Sequence, residues 1–328
     1  MSVDQEKQAA SEVEAFERVS DLEKKYSKES LQAAIDAREA FFDSVDFKIL
    51  REIFADIYKK CGFDVETMNF IESNRIAVID MEYGGGEYHG ESNFIAIKNA
   101  NIDVTQLDDL DFYDKKKKKF KQELVEDTYG SLELAMLHRL VHEEAHAISR
   151  NICVDIDSDK SNSSYSQSGL HRKARPNTKN WGEDTPTFQG KPIAQREDRV
   201  GSIFHQLNEG IVEVFASSVM DEYLKRIPKK NEAEDTYKKN KLERSRSFPY
   251  PDAQKMVNLI ISTLSKKKGV SKEVVFHALI RGLIEGETFE SDEVQDMFRE
   301  AFDDDFLRDL STAAWLGSIK RLLAKYAI

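Results

Sequence analysis

Two histidines and a glutamate are closely spaced in residues 137–148, which read Leu-His-Arg-Leu-Val-His-Glu-Glu-Ala-His-Ala-Ile. His142 and His146 are four positions apart, so on a helix their imidazoles lie one above the other on one face. Two imidazoles in that arrangement can share one zinc ion, and Glu143 beside them can take a proton from a metal-bound water. The pattern therefore predicts a Zn²⁺ site on a helix, with Glu143 as the catalytic residue.

The surrounding residues favour a buried helix. Residues 132–148 contain no Gly or Pro and are apolar on nearly every face, which is typical of a helix inside the protein. His138 lies one turn before His142 on the same face. We interpret it as a packing residue or a support for a ligand, because a catalytic zinc keeps its fourth position open for water.

A second helical segment, 204–216, carries two carboxylates four positions apart, Glu209 and Glu213. Together the two segments resemble the gluzincin metallopeptidases, a group that includes thermolysin-like enzymes and a large class of zinc aminopeptidases. The resemblance implies that Glu209 is the third zinc ligand, that Asn208 is the Asn of the Asn-Glu-Gly motif, and that Glu213 orients a zinc-bound histidine. Sixty-three positions separate His146 from Glu209, far more than in either named family.

Two further histidines are candidates for stabilising a developing oxyanion. His205 precedes Glu209 by four positions and shares its helix face. His171 follows Ser168-Gly169-Leu170, and we predict a short strand over 168–171 near the zinc. An ordinary polar role is the alternative for each histidine.

The chain before the zinc helix predicts a small antiparallel sheet. Residues 75–81 and 93–98 read as strands, and three glycines at 84–86 interrupt them. We predict that 93–98 is an edge strand that pairs with the substrate backbone; alternatively, the sheet only covers the helix. The predicted fold class is α+β, mostly helical, with a zincin-like core and a C-terminal helical subdomain.

The predicted organisation has three parts: an N-terminal helical region at 1–62, a catalytic domain at 63–226 and a helical subdomain at 227–328. Within the second part, 154–200 is poor in large apolar residues and reads as a long insertion, a candidate wall or lid of the active site. The third part predicts helices at 252–266, 271–285, 291–302 and 305–326. Ser271 and Ser291 are predicted N-caps, and Gly286 a stop.

Composition limits the partners. The 328 residues carry a net charge of −12, which argues against general nucleic-acid binding. Five lysines at 115–119 read as a solvated segment rather than a nucleic-acid patch. With two distant cysteines, no recognisable secretory signal and no long apolar run, we expect a cytoplasmic protein without a membrane partner. Export through a signal of another kind is the alternative.

These observations predict a zinc-dependent hydrolase, a metallopeptidase acting on a peptide or protein substrate. One alternative is a non-catalytic helical binding protein that keeps a structural or vestigial zinc site. Another is a structural zinc site closed by a fourth ligand, His138 or His205. The oligomeric state stays open.

Overall fold

The computed structural model describes residues 39, 41–79, 86–90, 93–98, 129–156, 163–175, 187–188, 191–192, 201–227, 232–242, 250–287, 289, 291–313 and 316–326. Most of these residues are helical, which confirms a mostly helical α+β class. The helices are α1 Phe47–Lys60, α2 Leu132–Ala147, α3 His205–Arg226, α4 Glu232–Leu242, α5 Pro251–Lys268, α6 Lys272–Glu285, α7 Asp292–Ala301, α8 Phe306–Ser311 and α9 Leu316–Tyr326. The strands are β1 Ile76–Ile79, β2 Gly86–His89, β3 Phe94–Lys98, β4 Asn151–Ile156, β5 Ser163–Ser168, β6 His171–Arg175, β7 Thr187–Phe188, β8 Lys191–Pro192 and β9 Gly201–Ile203.

The sheet before α2 differs from the prediction in one respect that matters for function. Its strand order is β1-β3-β2, with β3 parallel to β1 and antiparallel to β2. The strand at 93–98 is therefore central, and the prediction that it is an edge strand in an antiparallel sheet is wrong. Its Phe-Ile-Ala-Ile-Lys sequence is apolar on both faces, as central strands are, whereas the polar β2 gives little strand signal.

A second sheet, with order β4-β5-β6-β9, occupies much of the segment between the two predicted ligand helices. Each neighbouring pair in it is antiparallel. The predicted insertion at 154–200 contains regular structure, since the end of β4 and the strands β5 to β8 lie within it. The short strand predicted over 168–171 is instead the turn between β5 and β6, where Gly169 has a φ of +58°, a conformation that glycine adopts without strain.

Two compact units make up the chain, and the division between them falls within α1, α2 and α3. The first unit contains the sheet β1–β3, α2 as far as Glu144, and α4. Its sheet is buried at Ile76, Val78, Ile95, Ala96 and Ile97. The second unit contains the remaining strands and α5 to α9.

The helices at the C-terminal end of the second unit largely follow the prediction. Ser271 and Ser291 cap α6 and α7 by accepting hydrogen bonds from Val274 and Val294, and Gly286 ends α6 with a positive φ. The last predicted helix is wrong as one element, because 305–326 forms α8 and α9. The apolar residues of these helices are predicted to form the core of the subdomain. Of them, Phe276 and Phe302 are only half-buried and Trp315 lies outside the described side chains; the buried members are Leu279, Leu283, Phe298, Leu307, Leu310 and Leu322.

In the part of the chain that the structure describes, no helix combines the length and the apolar character needed to cross a bilayer. The lysine run at 115–119 lies outside that part.

Candidate metal centre

Helix α2 is buried on every face along its second half, as its sequence predicts. Every residue from Ala135 to Ala145 is buried, including the charged Arg139, Glu143 and Glu144. Burial lowers the pKa of the Arg139 guanidinium, and Tyr129 partly opposes that shift. Burial raises the pKa of Glu144 well above its usual range, although the carboxylate accepts a hydrogen bond from the Ile71 N–H. The helix thus carries polar groups that ordinary surface helices expose.

The C-terminal end of α2 is held by three side chains. The amide of Asn151 donates to the carbonyl of His146 at 2.8 Å, and the amide of Asn69 donates to the carbonyl of Ala147 at 3.0 Å. The Ser149 hydroxyl donates to the carbonyl of Ala145 at 2.6 Å. The last turn of a helix leaves carbonyls without helical partners, and these contacts satisfy three of them next to His146.

The predicted ligands come together. His142, His146 and Glu209 each offer one ligand atom, and the three atoms lie within 4.8 Å of one another. His146 Nε2 is 3.5 Å from Glu209 Oε2. Two ligands bound tetrahedrally to zinc at 2.0–2.1 Å stand about 3.3 Å apart, so this donor pair already has nearly the required separation. The residues fit a divalent metal that accepts two imidazoles and a carboxylate.

Gly210 follows Glu209 on α3. Because it has no side chain, α3 can pack closely against α5, and this packing positions Glu209. A Cβ on Gly210 would lie 2.8 Å from the carbonyl oxygen of Ala253 on α5. Real Cβ atoms do not approach backbone that closely, so only glycine permits this approach of the two helices. The Gly of the Asn-Glu-Gly motif is therefore explained by packing.

Asn208 ties the β5–β6 turn to α3. Its buried Oδ1 accepts hydrogen bonds from the N–H groups of Leu170, at 2.9 Å, and His171, at 3.4 Å. Its Nδ2 is buried with no hydrogen-bond partner among the described residues. A Cβ on Gly169 would lie 2.6 Å from Asn208 Oδ1, so the turn needs glycine there for a second reason.

The hydrogen bonds to Asn208 Oδ1 hold the β5–β6 turn against α3, and the two candidate oxyanion donors, His171 and His205, lie close together there. The rings of His171 and His205 lie 4.7 Å apart between centroids. His205 Nδ1 is 3.9 Å from Glu209 Oε1, too far for a hydrogen bond. His205 therefore borders the carboxylate of the candidate metal ligand, His171 lies beside His205, and neither histidine joins the group of three ligand atoms.

His138 has a different partner. Its Nδ1 lies 2.8 Å from the hydroxyl of Tyr237, and both residues are fully buried. Within the described residues it does not join the three ligand atoms either. Glu213 is fully buried one turn after Glu209, and its predicted role in orienting a histidine stays a prediction.

A residue that the sequence analysis missed is Gly86, the first residue of β2. A Cβ at this position would lie 2.9 Å from both Cγ and Oε1 of Glu143. The backbone of an edge strand thus lies directly against the predicted general base. The glycine run at 84–86 was a signal for such an approach, although on its own it indicated only a break between strands.

Comparison with known proteins adds no relative: no protein-family model, no curated protein and no solved structure matches this chain.

Proposed function

We propose that this protein is a zinc-dependent hydrolase of the metallopeptidase type, with a zincin-like core and a gluzincin-like ligand set. The observation that carries the proposal is the convergence of His142, His146 and Glu209 within 4.8 Å, next to a glutamate in the sequence position of a general base. Neither His138 nor His205 joins them among the described residues, which favours an open fourth position over a closed structural site.

A bound zinc ion supplies Lewis-acid chemistry, acidifying a water molecule to a pKa of about 7 and polarising the scissile carbonyl. Glu143 accepts the proton of the attacking water and afterwards delivers it to the leaving amine. Because Glu143 is buried beside Gly86, its carboxylate has little room for other orientations. His171 and His205, side by side near Glu209, are the candidate hydrogen-bond donors to the developing oxyanion.

A peptide is the favoured substrate because of the strand that borders the general base. Among the described strands, β2 lies at an edge of its sheet, and an edge strand offers backbone N–H and C=O groups to an extended chain. A peptide paired with β2 near Gly86 lies close to Glu143. We therefore assign the substrate-pairing role, which the sequence predicted for 93–98, to 86–89.

Metal analysis and peptide hydrolysis test the proposal together. The wild type should bind about one zinc ion per chain and cleave peptides, and chelation should abolish cleavage. Glu143→Gln should keep its zinc and lose activity by about 10²-fold or more. Glu209→Ala should lose zinc affinity by about 100-fold or more, since even residues that only support a ligand contribute 10- to 100-fold.

The matched control is Glu133→Gln, an exposed glutamate on the same helix, which should leave zinc content and activity unchanged. A Glu143→Gln variant as active as the wild type would refute the hydrolase mechanism. Unchanged zinc content in Glu209→Ala would remove Glu209 from the ligand set.

A further inference from the structure

The connection between α5 and α6 has an unusual surface. Every residue from Lys266 to Val274 is exposed, and we call this segment the basic tip. It carries four lysines and two valines. Val270 and Val274 are 40% and 54% exposed, and they are the large apolar side chains left exposed in the described part of the chain.

Hydrogen bonds at the two helix ends fix the basic tip. Gly269 ends α5 with a φ of +66°, and the Val270 N–H donates to the carbonyl of Ser265 at 3.2 Å. The Ser265 hydroxyl donates to the carbonyl of Val270 at 2.6 Å. At the start of α6, Ser271 accepts a hydrogen bond from the Val274 N–H at 3.3 Å. In such helix ends an apolar residue at the position of Val270 usually packs back on its own helix, yet this one stays open to solvent.

The charge of the basic tip is opposite to that of the whole chain. Lys268 pairs with Glu300 at 2.9 Å, and Glu273 pairs with Lys60 at 3.8 Å. Lys266, Lys267 and Lys272 form no salt bridge with any described residue. Three positive charges therefore remain in excess at this point of a protein whose net charge is −12.

We propose that the basic tip docks on a bilayer surface that contains anionic phospholipid. Lysines there gain energy from the negative surface, and the valines enter the boundary between headgroups and acyl chains. Nucleic acid could bind the lysines through its phosphates, but it has no apolar region to take up the valines. In addition, 266–274 contains no aromatic residue on which a base could stack. A surface contact of this kind needs no membrane-spanning helix. The proposal therefore replaces the expectation of no membrane partner, which rested on the absence of a long apolar run.

Vesicle co-sedimentation of the full-length chain tests the proposal. The protein should bind vesicles of phosphatidylcholine with phosphatidylserine at low salt, bind pure phosphatidylcholine much more weakly, and dissociate as salt rises. Each lysine near such a surface contributes about fivefold to partitioning, so Lys266→Gln with Lys267→Gln and Lys272→Gln should weaken binding on the order of a hundredfold.

Two further variants separate charge from apolar contact. Val270→Thr with Val274→Thr keeps shape and charge, and should weaken binding about fivefold for each valine, or roughly 25-fold together. The control, Lys48→Gln with Lys239→Gln and Lys320→Gln, removes the same charge from exposed lysines elsewhere and should bind like the wild type. Circular dichroism confirms that each variant is folded.

Three results would overturn the proposal. The first is no binding to phosphatidylserine vesicles at low salt. The second is equal loss in the control and the tip variant, which would assign binding to net charge. The third is binding to RNA that the lysine variant loses and the valine variant keeps, which would identify the tip as a nucleic-acid site. None of these outcomes depends on hydrolase activity.

Discussion

Gly86→Ala is the substitution that most directly tests the geometry of Glu143, the proposed general base. The new Cβ would lie 2.9 Å from Cγ and Oε1 of Glu143, whereas ordinary contacts begin at 3.4 Å, so the Glu143 side chain must move by about 0.5 Å. Backbone strain does not enter, because Gly86 lies in an extended strand and its φ is not positive. The fold should therefore tolerate alanine.

A misplacement of about 1 Å costs an enzyme roughly 100-fold in rate, so the shift at Glu143 should lower kcat about tenfold. Zinc content and Tm should stay close to wild type, because neither the ligands nor the core changes. Hydrolysis of a peptide mixture, followed by the release of free amino groups, gives the rate. Metal analysis and thermal unfolding give the two quantities expected to be unchanged.

Two variants make the result decisive. Glu143→Asp shortens the side chain that the new Cβ meets. Gly86→Ala should therefore lower kcat by a much smaller factor in the Glu143→Asp background than in the wild type. Gly282→Ala is the glycine control, since its Cβ would meet Glu287 only at 3.4 Å. If Gly86→Ala lowers the rate equally in both backgrounds, or acts by expelling zinc, the contact with Glu143 does not position the base.

Three more predictions follow from the same contacts. Asn208→Ala should lower the free energy of unfolding by about 2 kcal/mol in chemical denaturation, since it leaves the buried Leu170 N–H and the partly buried His171 N–H without their acceptor; no change would mean that the turn is not held there. Gly210→Ala places a methyl group against the Ala253 carbonyl, so it should lower the free energy of unfolding by about 1–3 kcal/mol and weaken zinc binding in a competition titration. Unchanged zinc affinity would mean that the packing of α3 on α5 does not position Glu209. Burial raises the pKa of Cys61 from 9.0 to about 11. The unfolded thiol ionises first, so stability should fall between pH 9.0 and about 11, and Cys61→Ala should remove that part of the pH dependence in thermal unfolding scans.

The sequence predicted the local parts of the candidate site well. Helix α2 was readable because its apolar residues surround the HExxH pattern, and α3 because Glu209 and Glu213 fall at helical spacing. The meeting of Glu209 with His146 was expected only through a resemblance. In the described residues between them, β4, β5 and β6 pair as successive hairpins, and β6 pairs with the more distant β9. The sequences of β5 and β6 are polar and give little strand signal.

Contacts that depend on a missing side chain were beyond sequence reasoning. Gly86 and Gly210 owe their roles to atoms on distant elements, Glu143 and Ala253. A glycine in a strand or a helix indicates weak local structure, and nothing nearby in the sequence identifies the group that it accommodates. The error at β3 has a related cause: strand order is set by pairing, and 93–98 carries no mark of an edge or a centre beyond its apolar character.

The hydrogen bonds from Asn69, Ser149 and Asn151 at the end of α2 affect how a metal would be acquired. His146 is the penultimate residue of that helix, where fraying would otherwise cost the ion the ordering of a whole turn. Because side chains of the protein satisfy the terminal carbonyls, the turn that carries this imidazole is ordered by the chain itself. Metal binding would then require little folding of this helix end, whereas in small zinc modules the chain folds only when the ion binds.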